Sequence, residues 1–146
     1  MIFENLYTKK RVAYELLISA INLYEKNNSS YNVIIYNSVY TAWNLIFEIK
    51  NSYEKHTNIK LNFLLNKEKV YDYFKENKTN INKFWNFMKH SNAKSFNSFV
   101  DVHNFSEINS WILKNCCNDF IKIFDSIKME VNESIDYNFM KIKKYC

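Results

Sequence analysis

The 146-residue chain contains no glycine and no proline. Without glycine the backbone lacks a residue that adopts positive φ at low cost, and the tight turns of β-hairpins depend on such residues. Helices are less affected, because they can end on asparagine in the left-handed region. The absence of glycine also excludes glycine-rich phosphate-binding loops, and with them P-loop and Rossmann nucleotide sites. The composition therefore predicts an all-α fold.

Cysteine and histidine are scarce, with three residues of each type. No group of His, Cys, Asp and Glu has the spacing of metal ligands, so no metal or cofactor is expected. Cys116 and Cys117 are adjacent within an apolar helical pattern, which favours small packing residues in a reducing compartment. A regulatory disulfide between these two neighbours is the alternative. Cys146 is the one cysteine expected to be exposed.

Long apolar runs are also missing. No stretch approaches the roughly 20 residues of a membrane span. The first five residues include an acid and lack the small-residue cleavage site of a signal peptide. We therefore expect a soluble cytoplasmic protein that makes no membrane contact.

Apolar residues recur at spacings of three and four along most of the chain, as in amphipathic helices. The pattern predicts one domain spanning residues 1–146, an antiparallel helical bundle with a four-helix core and additional short helices. In the first helix, Val12, Leu16, Ala20 and Leu23 form the expected buried stripe. Aspartate at Leu16, Ala42 or Trp111 is expected to unfold the protein. The predicted helices span 8–26, 31–53, 67–76, 107–127 and 131–144. A further helix follows a cap at Thr79 and contains residues 81–90. Connections are predicted at 54–66 and 91–101.

Residues 81–90 contain the only convergence of groups suited to chemistry. Lys83, Asn86, Lys89 and His90 gather on one side of this helix, opposite an apolar seam. A histidine near its ordinary pKa can act as a base at neutral pH, and lysines can offset developing negative charge. The alternative is an ordinary solvated face of an amphipathic helix.

The charge balance favours an anionic partner. The net charge is +5 and the isoelectric point is near 9.0, which is typical of proteins that bind nucleic acid. Lysine outnumbers arginine by nineteen to one, so a proteome rich in lysine explains the same charge without any such partner.

The four central predicted helices, with a polar Lys/His turn after the third, resemble the HEPN superfamily (higher eukaryotes and prokaryotes nucleotide-binding). Segments 20–24 and 33–42, the Asn-Phe-Met-Lys-His-Ser sequence at 86–91 and the helix at 104–124 resemble, more narrowly, a family of uncharacterised bacterial proteins. The resemblance covers nearly the whole chain in the same order. It implies a metal-independent endoribonuclease or an RNA-binding relative, often a homodimer and tied to toxin–antitoxin or phage-defence systems.

The resemblance also assigns roles to the polar residues of 81–90. His90 takes the place of the family histidine and Asn86 that of the polar residue before it. Trp85 occupies the place of the family arginine, so Lys83 and Lys89 are the available cations. The second hypothesis is a non-catalytic helical interaction module that binds a nucleotidyltransferase-like antitoxin, and it predicts an exposed apolar or aromatic patch.

Overall fold

The computed structural model describes residues 2–69, 105–127 and 137–146. These ranges contain helices and no strand, which confirms the all-α prediction for them. The α-helices are α1 (Ile2–Glu25), α2 (Asn32–Thr57), α3 (Phe105–Ser126) and α4 (Tyr137–Lys144), and two 3-10 helices lie at Ser29–Tyr31 and Asn66–Lys69. Within the same ranges, no helix combines the length and apolarity needed to cross a membrane.

The predicted helix 8–26 takes Thr8 as a plausible N-cap, but α1 begins six residues earlier, so this prediction was wrong. The predicted stripe was also rotated about the helix axis, since Val12 is 43 % exposed and Leu16 is only half-buried. Lys10 explains the error, because it lies on the buried face with its ammonium 4.7 Å from the centroid of the Phe124 ring. A lysine in the middle of the buried face interrupts the apolar pattern from which that face would be recognised in the sequence. Among residues 5–25 of α1, the buried ones are Leu6, Lys10, Ala13, Leu17, Ala20 and Ile21.

Asparagines occupy the positions where glycine would otherwise be expected. Asn27 follows α1 at φ 50° and Asn58 follows α2 at φ 57°, which confirms that asparagine ends these helices. Ser30, which precedes the predicted helix 31–53 and is a typical N-cap residue, does not cap α2. Instead, the side-chain oxygen of Asn28 accepts hydrogen bonds from the backbone N–H and the hydroxyl of Ser30. Helix α2 continues four residues beyond its predicted end at position 53.

The expected antiparallel relation holds for α1 and α2, whereas α2 and α3 run parallel. The early residue Lys9 of α1 pairs with the late residue Glu48 of α2 at 3.4 Å. Between α2 and α3, the amide of Asn109 donates to the carbonyl of Asn32 near both helix starts. Further along both helices, Trp43 donates to Asp119. The 47 residues 58–104 therefore connect two parallel helices.

All four α-helices contribute to one hydrophobic core. Apolar periodicity predicts two inward rows on α2, and most of their members are buried, including the fully enclosed Trp43. The rows are Ile35, Ala42, Leu45 and Ile49, and Tyr36, Val39, Trp43 and Phe47. On α3, the periodic residues Ile112, Cys116, Phe120 and Ile123 are buried. Cys116 and Cys117 are both free and fully buried, which confirms their packing role, and Cys146 is exposed.

The connection after α2 is anchored differently from the prediction. The sequence offers Ile59, Leu61, Phe63, Leu64 and Leu65 as apolar anchors of this connection. Ile59 and Leu64 are instead 53 % and 56 % exposed, whereas Leu65 is fully buried. Leu61 and Phe63 are half-buried against the core. A single deep anchor at the end of the connection therefore replaces the expected row of apolar contacts.

Candidate functional site

The predicted reactive residues Lys83, Asn86, Lys89 and His90 lie outside the described residues, as does Trp85. Their convergence on one helix face therefore stays a prediction. Two features of the described residues bear on function. One is the polar anchor that fixes the chain before residue 70, and the other is a notch at the turn between α1 and α2.

The polar anchor is built around Asp119, whose side chain is fully buried in α3. Its carboxylate accepts a hydrogen bond from Trp43 Nε1 at 2.6 Å. It also accepts bonds from the backbone N–H groups of Asn66 at 2.7 Å and Lys67 at 3.0 Å. These backbone groups belong to the first turn of a 3-10 helix, where N–H donors have no partner within the helix. Asp119 therefore caps this helix from across the core.

Burial and hydrogen bonding act on the Asp119 pKa in opposite directions. Removal from water raises the pKa of the carboxyl group, and this effect exceeds the lowering by the three hydrogen bonds and by Lys122. Asp119 has no exposed surface, and its oxygens already accept three hydrogen bonds. The carboxylate therefore stabilises the fold and is not a candidate for catalysis.

Lys67 completes the anchor from the same 3-10 helix. Its ammonium lies over three rings of one face of α2, at 5.4 Å from Tyr40, 5.8 Å from Trp43 and 6.0 Å from Phe47, measured to the ring centroids. Burial lowers the pKa of Lys67, partly offset by the negative charge of Asp119. The rings attract the cation through their negative faces. This lysine therefore belongs to the packing of the anchor.

A second carboxylate holds the same segment. Glu68 accepts bonds from the ammonium of Lys50 through both oxygens, each at 3.1 Å, and from the backbone N–H of Leu65 at 2.6 Å. Lys50 is 4 % exposed and also pairs with Glu54 at 3.6 Å. A nearly buried charge of this kind is stable only when paired. Together, Glu68 and Asp119 fix residues 65–69 against α2 and α3.

The notch is a cavity of about 440 Å³. Within it, the rings of Tyr24 and Tyr145 meet edge to face with centroids 5.9 Å apart. The Tyr145 hydroxyl donates to Glu25 at 3.2 Å. Burial, with the nearby Glu25 carboxylate, raises the pKa of Tyr145 to about 12, so the phenol stays protonated at neutral pH. The lining residues are Leu23, Tyr24, Glu25, Asn27, Asn28, Ser29, Asn32, Ile35 and Tyr145.

Several lysines are close in sequence to residues that line the notch, although no lysine lines it. Lys26 follows α1, and its ammonium lies 5.7 Å from the centroid of the Tyr31 ring. Lys141, Lys143 and Lys144 lie in the last turn of α4, before Tyr145. Lys141 donates to the side chain of Asn22 at 2.9 Å, which brings this turn against the end of α1. The lining itself contains one charged group, the carboxylate of Glu25.

This set of groups suits a ligand that combines a flat polar ring with negative charge. Asparagine amides and a glutamate carboxylate offer donors and acceptors to a ring edge, tyrosines offer packing surfaces, and lysines offer charge to phosphate. The sequence does not identify the site, because the Asn-Asn-Ser-Ser sequence at 27–30 is typical of an ordinary turn. The lysines of α4 are equally typical of a helix C-terminus, where they interact favourably with the helix dipole. The available signal was the pair of amides, Asn27 and Asn28, that follows Tyr24 at the end of α1.

Among residues 2–69, 105–127 and 137–146, no group of three His, Cys, Asp or Glu side chains is arranged to hold a metal ion. Comparison of the chain with protein-family models, with curated proteins and with solved structures finds no match. Functional inference therefore rests on the residues themselves.

Proposed function

We propose that this protein is an RNA-directed helical protein of HEPN type that cleaves RNA without a metal ion. The notch supports the RNA-binding part of the proposal, because tyrosines and asparagines line it and Lys26 and Lys144 are adjacent in sequence to lining residues. The predicted arc of Lys83, Asn86, Lys89 and His90 carries the catalytic part. The net charge of +5 supports both parts.

Single-stranded RNA is bound by two kinds of contact. Its bases stack on aromatic side chains and use their edges for hydrogen bonds, while its phosphates bind cations. A cavity of about 440 Å³ lies within the size range of small-ligand pockets and accommodates one base. In this proposal Tyr24 and Tyr145 contact the base, the asparagines and Glu25 contact its edge, and the lysines bind the flanking phosphates.

The proposed reaction is attack of the ribose 2′-hydroxyl on the adjacent phosphorus. His90 removes the hydroxyl proton, the 2′-oxygen bonds to phosphorus, and the 5′-oxygen leaves as a hydroxyl after receiving a proton. Lys83 and Lys89 stabilise the negative charge on the phosphorane, and Asn86 holds a phosphate or ribose oxygen. A homodimer would place a second imidazole where it can protonate the leaving oxygen. The products are a 2′,3′-cyclic phosphate and a 5′-hydroxyl end.

Replacement of His90 by alanine is expected to lower RNA cleavage in EDTA by roughly 100-fold or more, since a positioned base contributes about that factor. Binding of the same RNA at low salt should change little. The matched control is His56→Ala, because His56 is an exposed histidine in the last turn of α2. Cleavage and retention of tRNA and mRNA fragments would be measured on gels for both variants.

Two results would contradict this proposal. One is that the wild-type protein neither cleaves RNA nor retards it at low salt. The other is that His90→Ala and His56→Ala cleave as fast as the wild-type protein, which would remove His90 from the chemistry.

A second candidate function, a helical interaction module, is favoured by one observation. Val33 and Ile34 are adjacent in the first turn of α2 and are 44 % and 52 % exposed. Exposed apolar side chains that lie together are typical of protein contact sites. In this proposal the partner is an antitoxin-like protein encoded by the adjacent gene. Ile34→Glu should abolish co-purification with that product, whereas Asn37→Glu, an exposed change on the same helix, should not.

A further inference from the structure

Cys116 and Cys117 are neighbours in sequence but lie on different sides of α3. The Cys116 thiol donates to the carbonyl of Val39 on α2, with sulfur and oxygen 3.8 Å apart. Successive residues of an α-helix are about 100° apart around its axis, so the Cys117 side chain leaves α3 about a quarter turn away from this contact. Both side chains are fully buried. The two thiols therefore have different neighbours.

The register between α3 and α4 identifies the neighbour of Cys117. Helix α1 runs antiparallel to α3, because Lys10 lies over Phe124 and Tyr14 contacts Phe120. Helix α4 runs in the direction of α1, because Lys141 bonds to Asn22 and residue 145 then contacts residue 24. Hence α3 and α4 are antiparallel.

Phe139 sets the alignment of these two helices. Its ring centroid lies 4.4 Å from that of Phe124. Seven residues on from Phe139 is Cys146, and seven residues back from Phe124 is Cys117. Seven helical residues rise about 10.5 Å. Helix α4 ends at Lys144, but the N–H of Cys146 still donates to the carbonyl of Lys143. The chain therefore keeps a turn-like path to Cys146, and the two cysteines lie at a similar level along α3 and α4. In agreement, the charge of Cys146 adds to burial in raising the pKa of Cys117.

We propose that Cys117 and Cys146 form an intramolecular disulfide when the protein meets a peroxide, and that the bond ties α4 to α3. Cys146 is exposed, which gives the oxidant access. It lies two residues after α4 ends at Lys144, so its backbone can adjust to the distances that a disulfide needs without breaking that helix. The adjacent residue Tyr145 forms one wall of the notch, and the bond restricts the movement of that wall. This proposal does not depend on the RNA function.

The oxidation of the two thiols by hydrogen peroxide has two steps. The Cys146 thiolate attacks one oxygen of hydrogen peroxide, which gives a sulfenic acid and releases the other oxygen as water after protonation. The Cys117 thiolate then attacks the sulfenic sulfur, forms the S–S bond and displaces the remaining oxygen as a second water. Two thiols and one peroxide thus become one disulfide and two waters. Because burial raises the pKa of both thiols, the reaction should accelerate as the pH rises from 7 towards 9.

The test is oxidation of the full chain, with Cys116→Ser as the matched control. After peroxide treatment, the wild-type protein and Cys116→Ser should each lose two titratable thiols without forming dimers. Both should gain roughly 5–10 °C in melting temperature, as expected for a loop of about 30 residues. Addition of dithiothreitol should reverse both changes. Cys117→Ser and Cys146→Ser should show no intramolecular bond and no gain in melting temperature.

Mass spectrometry of the oxidised wild-type protein locates the bond without any substitution, so the test does not depend on the folding of Cys117→Ser. Fragments that join Cys117 to Cys146 support the proposal. Retention of three free thiols, a bond that uses Cys116, or only intermolecular bonds through Cys146 would overturn it.

Discussion

Substitution of Asp119 by alanine is expected to lower the free energy of unfolding by about 3–5 kcal/mol, because it leaves several buried donors without an acceptor. The indole N–H of Trp43 and the backbone N–H groups of Asn66 and Lys67 all lose their partner. The Lys67 ammonium also loses the nearby negative charge that favours its charged form. Urea denaturation followed by circular dichroism would measure the change.

Asp125→Ala is the matched control, because Asp125 lies on the same helix and is exposed. Its effect should stay within about 0.5 kcal/mol. Trp43→Phe removes one of the three donors and keeps most of the aromatic surface, so an intermediate loss of about 1–2 kcal/mol is expected. If Asp119→Ala cost no more than Asp125→Ala, the anchor would not stabilise the fold.

The same carboxyl group gives a pH dependence whose sign follows from its raised pKa. Between the ordinary value of 3.8 and the higher native value, the native state binds more protons than the unfolded state. The contribution of Asp119 to stability therefore falls as the pH rises through this window. Compared with Asp119→Asn, which does not titrate, the wild-type protein should gain stability as the pH is lowered from 7 to 4. A relative loss on acidification would mean that the hydrogen bonds outweigh burial.

Substitution of Ala42 by aspartate is expected to prevent folding. Ala42 is fully buried on α2, and an unpaired carboxylate at such a site costs several kcal/mol against a total stability of about 5–15 kcal/mol. An aspartate side chain is too short to bring its carboxylate from position 42 to water unless a neighbouring helix moves. The expected results are insoluble expression or a chain without a cooperative thermal transition.

Thr41→Asp is the control for this substitution, since Thr41 is adjacent and exposed. It should express and melt like the wild-type protein. Leu16→Asp and Trp111→Asp should be milder than Ala42→Asp, because both of those side chains are only half-buried. A folded Ala42→Asp protein with a near-normal melting temperature would contradict the position of α2 in the core.

Periodicity predicted the parts of the fold where the buried rows are mostly apolar. Helices α2 and α3 have such rows, with Lys50, Asn109 and Asp119 as buried polar exceptions, and most of their inward apolar residues were assigned correctly. The stripe of α1 was rotated because Lys10 lies on the buried face and packs its ammonium on Phe124. Charged residues are rarely buried, so sequence reasoning places a lysine outside.

The polar anchor could not be derived from the sequence for a related reason. Asp119 shares the buried face of α3 with Cys116 and Phe120, but its donors come from residues 43, 66 and 67. No local pattern records a contact between residues so far apart. A single acid within an apolar helical period was the only signal, and it does not identify its partners.

One of the two candidate sites was predicted from the sequence and the other was not. The arc of 83–90 was derived from helical spacing and from the resemblance, and it lies outside the described residues. The notch depends on two segments that are distant in sequence, namely residues 23–35, which include the asparagine turn, and the residue after α4. Only the packing of α4 against α1 brings Tyr145 to Tyr24.

Photochemical crosslinking to RNA that contains 4-thiouridine is the most direct test of RNA binding through the notch. The account predicts crosslinked peptides that contain Tyr24 or Tyr145, together with peptides from 81–90. The face at the other end of α2, with Lys55 and Lys60, should remain free of RNA. Crosslinks confined to that face, or none above the level of a neutral control protein, would contradict an RNA-directed function.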